Sequence, residues 1–395
     1  MNEKIDCSFY GICLKYGESV KRVAIVLGTR PEAIKLLPVY KAMQESSVLE
    51  PVLVSTGQHR EMLLPLFDVF GVEPDFDLQI MTKNQTLSSL TARLFETLGA
   101  LFDQQDFFSV LVQGDTTTAL VGAVVGYYHK INICHVEAGL RTSNKWSPFP
   151  EECNRKMIGS VADFHFTPTS TATNALIKEG IVDGVFEVGN TVIDSLLYVQ
   201  SQLGEVGDNY QNKYRKLLGS EKRMILVTGH RRESFGDGLK NICIALKKLV
   251  ELYEDIVLVY PVHLNPNVRN IVADVLGGES RIKLIDPVPY TEMVYLMGQS
   301  WLILTDSGGI QEEAPSLGVP VLVMRDTTER QEGVDAGCAL LLGTSIQGIL
   351  DGVASVIDSP ERYQSMVNSQ NPYGDGLSSA RIVSALEERS LMSDG

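Results

Sequence analysis

From residue 22 onward the chain repeats one unit: a β-branched apolar run, a short Gly or polar turn, then a segment of helical period. Nothing else in the sequence constrains the fold as tightly. Runs of this length, each followed by a longer periodic stretch, form parallel strands joined by crossover helices. Val23 to Leu27, Pro51 to Ser55, Phe107 to Val112, Ile131 to Val136, Phe164 to Thr167 and Val185 to Val188 predict one parallel sheet. A polar stretch at 201–222, SQLGEVGDNYQNKYRKLLGSEK, interrupts the rhythm and predicts a junction. The pattern then restarts, and Met224 to Thr228, Ile256 to Tyr260, Ile282 to Ile285, Trp301 to Thr305 and Pro320 to Met324 predict a second sheet. The expectation is an α/β chain of two domains, 21–200 and 201–376. An extension at 1–20 fits neither, and a terminal helix over Leu377 to Leu391 lies within 377–395. A length of 395 residues suits two cores.

A net charge of −15 argues against general affinity for nucleic acid or anionic membrane, which both require basic surface. No apolar run approaches the roughly 20 residues of a bilayer span, and the first residues carry scattered charges. A cytoplasmic protein is expected, without nucleic-acid or membrane partners. The six cysteines show no CxxC pair, which suits reduced thiols. Cys134 and Cys243 lie in apolar runs as packing residues.

In open parallel sheets ligands bind beyond the carboxyl ends of the strands, and the polar residues of this chain collect there. The strand ends of the first half read Gly28-Thr29-Arg30, Thr56-Gly57-Gln58-His59, Gln113-Gly114-Asp115 and Glu137-Ala138-Gly139. Those of the second read Gly229-His230-Arg231-Arg232, Val262-His263 and Asp306-Ser307-Gly308-Gly309. Two such rims would enclose an interdomain cleft, the expected active site.

At Ser307, Gly308 and Gly309 a strand opens directly into a helix, where free amides and the helix dipole can hold a diphosphate. An isolated SGG is as readily a tight turn; Glu313, one turn on, tips the balance, because a carboxylate there suits ribose hydroxyls. Gly28 to Glu32 is a second such elbow, with Arg30 and Lys35 adding positive charge. Asp115, Glu137, Glu151 and Glu152 fall at or just after strand ends within one short segment. Any one alone reads as solvated surface or a cap, but converging carboxylates read as chemistry. His135 lies inside a strand as a core residue, whereas His230 sits at a strand end and reads as functional. His135-Val136-Glu137 lacks a P-C-x-x-C partner and HExxH is absent, so neither metal nor cofactor is expected.

GTRPEAIK at 28–35, TGQH at 56–59, QGDTTT at 113–118, HVEAGLRT at 135–142, PFPEECNR at 148–155, VGNTVID at 188–194, TGHRRESFG at 228–236, DSGGIQEEAPSLGVPVLV at 306–323 and TERQEGVDAG at 328–337 together resemble the bacterial non-hydrolysing UDP-N-acetylglucosamine 2-epimerases. The resemblance implies a GT-B-like fold of two Rossmann-like domains closing over a UDP-sugar. It implies a C-terminal helix packed on the N-terminal domain, a homodimer, and an activity serving cell-surface polysaccharide synthesis. By motif position, Ser307, Gly308, Gly309 and Arg30 would hold the diphosphate and Glu313 the ribose, while main chain near Met293 would read the uracil. Asp115, Glu137 and Glu151 match the catalytic acids; Lys35, Arg155, His230 and Arg330 match residues of binding or catalysis.

The chemistry implied is elimination of UDP to 2-acetamidoglucal and readdition with C2 protonated on the other face. A second, activating UDP-sugar would meet Gln58 and His59. Here, however, Asn84 replaces the arginine usual before Gln85-Thr86-Leu87, and Glu61 replaces a glutamine, so weak or absent activation is expected. Gln331 stands where the pattern has proline. A hydrolysing 2-epimerase, a GT-B glycosyltransferase and a silent UDP-sugar sensor are the alternatives. The GTRPE opening disfavours the first, acids placed near both C1 and C2 the second, and the retained Asp115, Glu137 and His230 the third.

Overall fold

The structure is a computed structural model that describes residues 20–58, 60–82, 85–218, 223–229 and 237–392. His59, Asn84, His230 and the 1–20 extension apart from Val20 therefore lie outside the described residues. Seven strands form the first sheet: β1 (Lys21–Leu27), β2 (Leu49–Ser55), β3 (Phe76–Asp77), β4 (Ser109–Gln113), β5 (Asn132–Val136), β6 (Phe164–Thr167) and β7 (Val185–Glu187). Six form the second: β8 (Arg223–Thr228), β9 (Ile256–Pro261), β10 (Ile282–Ile285), β11 (Leu302–Thr305), β12 (Val321–Val323) and β13 (Ala339–Leu341).

The orders are β3-β2-β1-β4-β5-β6-β7 and β10-β9-β8-β11-β12-β13, parallel throughout. Each is a doubly wound, Rossmann-like sheet whose strand order reverses at β1/β4 or β8/β11, and together they make the GT-B-like α/β architecture. Register places the chemistry. Leu27 pairs with Ser55, Gln113 with Val136, and Thr305 with both Thr228 and Val323. The residues that follow those strand ends consequently share one rim per sheet.

The interior strands are largely apolar on both faces because helices cover both. One buried cluster continues from the inner face of the first sheet (Ile25, Leu36, Leu37) into the second (Leu226, Val321), and separate clusters fill the outer faces. The polar stretch predicted as a junction is largely the Gly204–Leu218 helix. Tyr214 is buried there, stacks on Tyr295 with centroids 6.1 Å apart and donates to Glu292 at 2.6 Å. This packing against the second sheet's Tyr290–Gln299 helix overrides the two glycines and the charge. The terminal helix spans Ser378–Met392 and packs on the Arg30–Gln44 helix of the first sheet, with Ile382 and Leu386 fully buried. Ser46 Oγ donates to Glu387 at 2.6 Å, and Ser379 N donates to Asp194 at 2.7 Å. Among the described residues no helix is long and apolar enough to cross a membrane.

Candidate functional site

β1 runs out at Leu27, and the chain turns through Gly28 and Thr29 into the Arg30–Gln44 helix. A Cβ at Gly28 would collide with the hydroxyls of Thr56 and Thr118, so glycine is required by close approach. Two backbone donors of this elbow are already occupied. Gly28 N and Thr29 N donate to Glu32 Oε2 at 3.0 and 2.7 Å, Thr29 Oγ1 does so at 2.8 Å, and Thr116 Oγ1 donates to Oε1 at 2.6 Å. Burial pushes the fully buried Glu32 carboxyl above its ordinary pKa, against those four hydrogen bonds. An anion arriving at this elbow meets the exposed Arg30 side chain, while the Gly28 and Thr29 amides are held by Glu32. Sequence reading passed over Glu32, although the Thr29-x-x-Glu32 spacing of a capping box signals it.

One turn further, Lys35 Nζ lies 2.5 Å from Glu137 Oε1, with the two side chains 13% and 7% exposed. Gln113, at the end of β4, donates to the other oxygen of Glu137. Glu137 follows β5 in the left-handed region, φ 62°, a conformation costly for a non-glycine residue and found where a site dictates it. Burial would raise its pKa, but Lys35, then Arg330 and Arg155, hold the carboxyl below the ordinary range. Lys35, desolvated yet facing Glu137 and Glu312, is held above its ordinary value.

Asp115 is ion-paired to Arg155, and its carbonyl accepts from Asn154 Nδ2 at 2.8 Å. The Glu151–Val161 helix supplies Asn154, Arg155 and two carboxylates that differ in role. Glu152 is fully buried and structural, accepting from Thr142 N at 3.0 Å and lying 3.4 Å from Arg155 Nη1. Glu151 Oε2 is buried with no hydrogen-bond partner among the described residues, as is Arg155 Nε. His135 is a core residue, as expected: its Nε2 donates to Gly114 O at 2.7 Å, and burial pushes its pKa down to about 4. Gln58 Oε1 accepts from Thr118 Oγ1 at 3.1 Å on the same rim, and Glu61 is exposed in the Arg60–Phe70 helix.

On the opposite rim, Thr305 Oγ1 accepts from Ser307 N at 2.9 Å, fixing the turn into the Gly308–Glu313 helix. Gly308 and Gly309 open that helix, so their amides have no acceptor within it. Glu312 takes Arg330 Nε on one oxygen at 2.7 Å and Asn190 Nδ2 of the first unit on the other at 3.2 Å. Glu313 accepts from Tyr290 Oη at 2.5 Å. Burial, with Glu312 adding, pushes the Glu313 carboxyl up to about 7 against Tyr290, Lys35 and Arg30. Met293 lies in the first turn of the Tyr290–Gln299 helix, with its amide donating to Pro289 O at 2.9 Å. Gln331 begins the Gln331–Asp335 helix and donates to Asp335 at 2.9 Å.

The rims thus face one another. Arg330 acts on Glu137, and Arg30 and Lys35 act on Glu313, across the gap between the sheets. Thr169 Oγ1 also reaches across to Glu332 at 3.2 Å. The result is a cleft of buried carboxylates, each beside a cation or a hydrogen-bond donor, with glycine amides at one end. Such a cleft can bind an anionic ligand and move protons next to it. No metal-ligating cluster occurs among the described residues.

The chain matches the family model described as UDP-N-acetylglucosamine 2-epimerase over residues 41–387. It is 47% identical to the UDP-N-acetylglucosamine 2-epimerase of Yersinia pestis over 374 residues, 94% of this chain and 99% of that protein. It is 47% identical to that of Escherichia coli strain K12 over 378 residues, again 94% and 99% of the two chains. Among solved structures it is similar to the UDP-GlcNAc 2-epimerase from Neisseria meningitidis bound to UDP-GlcNAc, with a TM-score of 0.86 and 42% identity over 93% of this chain and 100% of that one.

Proposed function

The chain belongs to the UDP-N-acetylglucosamine 2-epimerase family, and from that premise we propose that it interconverts UDP-N-acetylglucosamine and UDP-N-acetylmannosamine without net hydrolysis. The observation carrying this reading is the set of first-rim acids, Glu137 on Lys35 and Asp115 on Arg155, facing Arg330 and Glu313 across the cleft.

The C2 proton of the sugar is not next to a carbonyl, so it leaves only if a leaving group departs with the electrons. In the forward half-reaction a carboxylate takes the C2 proton, the C–H pair becomes the C1=C2 bond of 2-acetamidoglucal, and the C1–O bond breaks to release UDP. In the return, UDP oxygen bonds to C1 while an acid protonates C2 on the opposite face. Base and acid must therefore stand on opposite faces of the sugar.

Glu137, kept ionised by Lys35, suits the base, and Asp115 is the other C2 proton-transfer group. Glu151, with one oxygen that has no partner among the described residues, positions the sugar or shares the relay. Ser307, Gly308, Gly309 and Arg30 hold the diphosphate, Glu313 the ribose, and main chain near Met293 the uracil. Arg155 and Arg330 supply the positive field that stabilises departing UDP, and His230 is assigned to the same task from the resemblance alone. Gln58 and His59 would form the activating second site, weakened by Glu61 and Asn84. We assign the chain to the cytoplasm as a homodimer, with the UDP-sugar its partner and no cofactor.

Incubation with UDP-N-acetylglucosamine in D₂O tests the whole reading. Deuterium should enter C2 of an intact UDP-N-acetylmannosamine pool. Free N-acetylmannosamine would mark a hydrolase instead, and an unlabelled, unchanged substrate would mark neither.

A further inference from the structure

Tyr290 carries none of the roles assigned so far, and its place in the fold gives it one. It opens the Tyr290–Gln299 helix, and its phenol donates to Glu313 Oε1 at 2.5 Å from an element 23 residues away. The other oxygen, Oε2, takes no hydrogen bond from a described residue. It lies 3.6 Å from where a Cβ on Gly309 would stand, so it faces the glycine turn. Around this carboxyl stand Glu312 on its own helix, Tyr290, and Arg30 and Lys35 from the first unit.

We propose that Tyr290 is a positioning residue for nucleotide recognition: by holding Oε1 of Glu313, it turns Oε2 toward the Gly308–Gly309 turn to accept the ribose hydroxyls of a nucleoside diphosphate. The inference rests on Glu313 being the ribose carboxylate. A hydroxyl-to-carboxylate hydrogen bond is short and charge-assisted, so it fixes the rotamer and also favours the ionised form. Without it, a carboxyl already pushed up to about 7 by burial climbs further, and the protonated form is a poorer acceptor for ribose.

Tyr290→Phe removes one oxygen and leaves the ring packing. Calorimetry should give the Kd of UDP and of 2′,3′-dideoxy-UDP either side of about pH 7. Both probes share the diphosphate titration, so the ratio of their Kd values isolates the ribose hydroxyls. In the unmodified protein the ratio should be about 10 to 100 above that pH and shrink below it. In Tyr290→Phe it should fall at least about fivefold, and its midpoint should move to higher pH. The kcat at saturating UDP-N-acetylglucosamine should stay within about twofold. Glu313→Gln should have a ratio that does not change with pH.

A Tyr290→Phe protein with the unmodified ratio and midpoint overturns the inference alone. A ratio near one in the unmodified protein, or a pH-dependent ratio in Glu313→Gln, overturns the ribose assignment of Glu313 and this inference with it.

Discussion

Glu137 concentrates the argument at the scale of single residues: a strained backbone, a lysine at 2.5 Å and a glutamine donor all serve one carboxylate. Glu137→Gln should lower kcat/KM by about 10² to 10⁴, with UDP affinity by calorimetry nearly unchanged; a variant with more than half the activity would remove Glu137 from proton transfer. His135 makes a prediction about stability. Its folded pKa of about 4 lies below the ordinary 6.5, so its contribution is complete above 6.5 and lost as pH falls toward 4. Urea unfolding of His135→Gln should depend less on pH across that window than the unmodified protein does, by roughly 1 to 3 kcal/mol at its acid end. The sequence made the identities of the strand-end residues legible, but not their partners. Lys35 and Glu137 are 102 positions apart, and only the pairing of β1 with β4 and of β4 with β5 brings them together. Tyr290 was invisible for the same reason: its meaning lies in a contact, not in a motif.

At the scale of elements, the strands of the interior were the most legible because both faces are covered and the runs are apolar throughout. β3 and β13 were missed: they are two and three residues long at the sheet edges and, unlike the equally short β7, contain no β-branched residue to mark them. The Gly204–Leu218 helix was hidden by its polar composition, although Tyr210, Tyr214 and Leu217 fall on one helical face. The terminal helix offers a test of what holds the chain's end. Leu386 is fully buried in the core shared with Leu36 and Leu37, so Leu386→Ala should cost about 2 to 5 kcal/mol in urea unfolding. A loss under about 0.5 kcal/mol would mean that this helix does not share the fold's cooperative unit.

At the scale of the whole molecule, two sheets of like topology act together only if something sets their separation, since the proposed chemistry of the cleft draws on charges from both. Glu312 is placed to do this. It is 3% exposed, holds Arg330 of its own unit, and takes Asn190 Nδ2 from the first unit at 3.2 Å. Its carbonyl accepts from Asn371, on the stretch that returns to the first sheet, at 2.9 Å. Asn190 Oδ1 meanwhile caps the Thr191–Ser201 helix by accepting from Val192 N at 3.1 Å. Asn190→Asp therefore keeps the cap while turning the donor that faces Glu312 into a like charge. The KM for UDP-N-acetylglucosamine should rise about tenfold, and small-angle scattering without ligand should show a larger radius of gyration that saturating UDP reduces. Adding Glu312→Gln restores a donor and an acceptor in the reversed sense, and Gln can still accept from Arg330. The double variant should recover most of the lost affinity and compactness, because the pair and not either residue alone sets the spacing. If it is as impaired as Asn190→Asp, the separation of the sheets is set elsewhere and Glu312 serves Arg330 only.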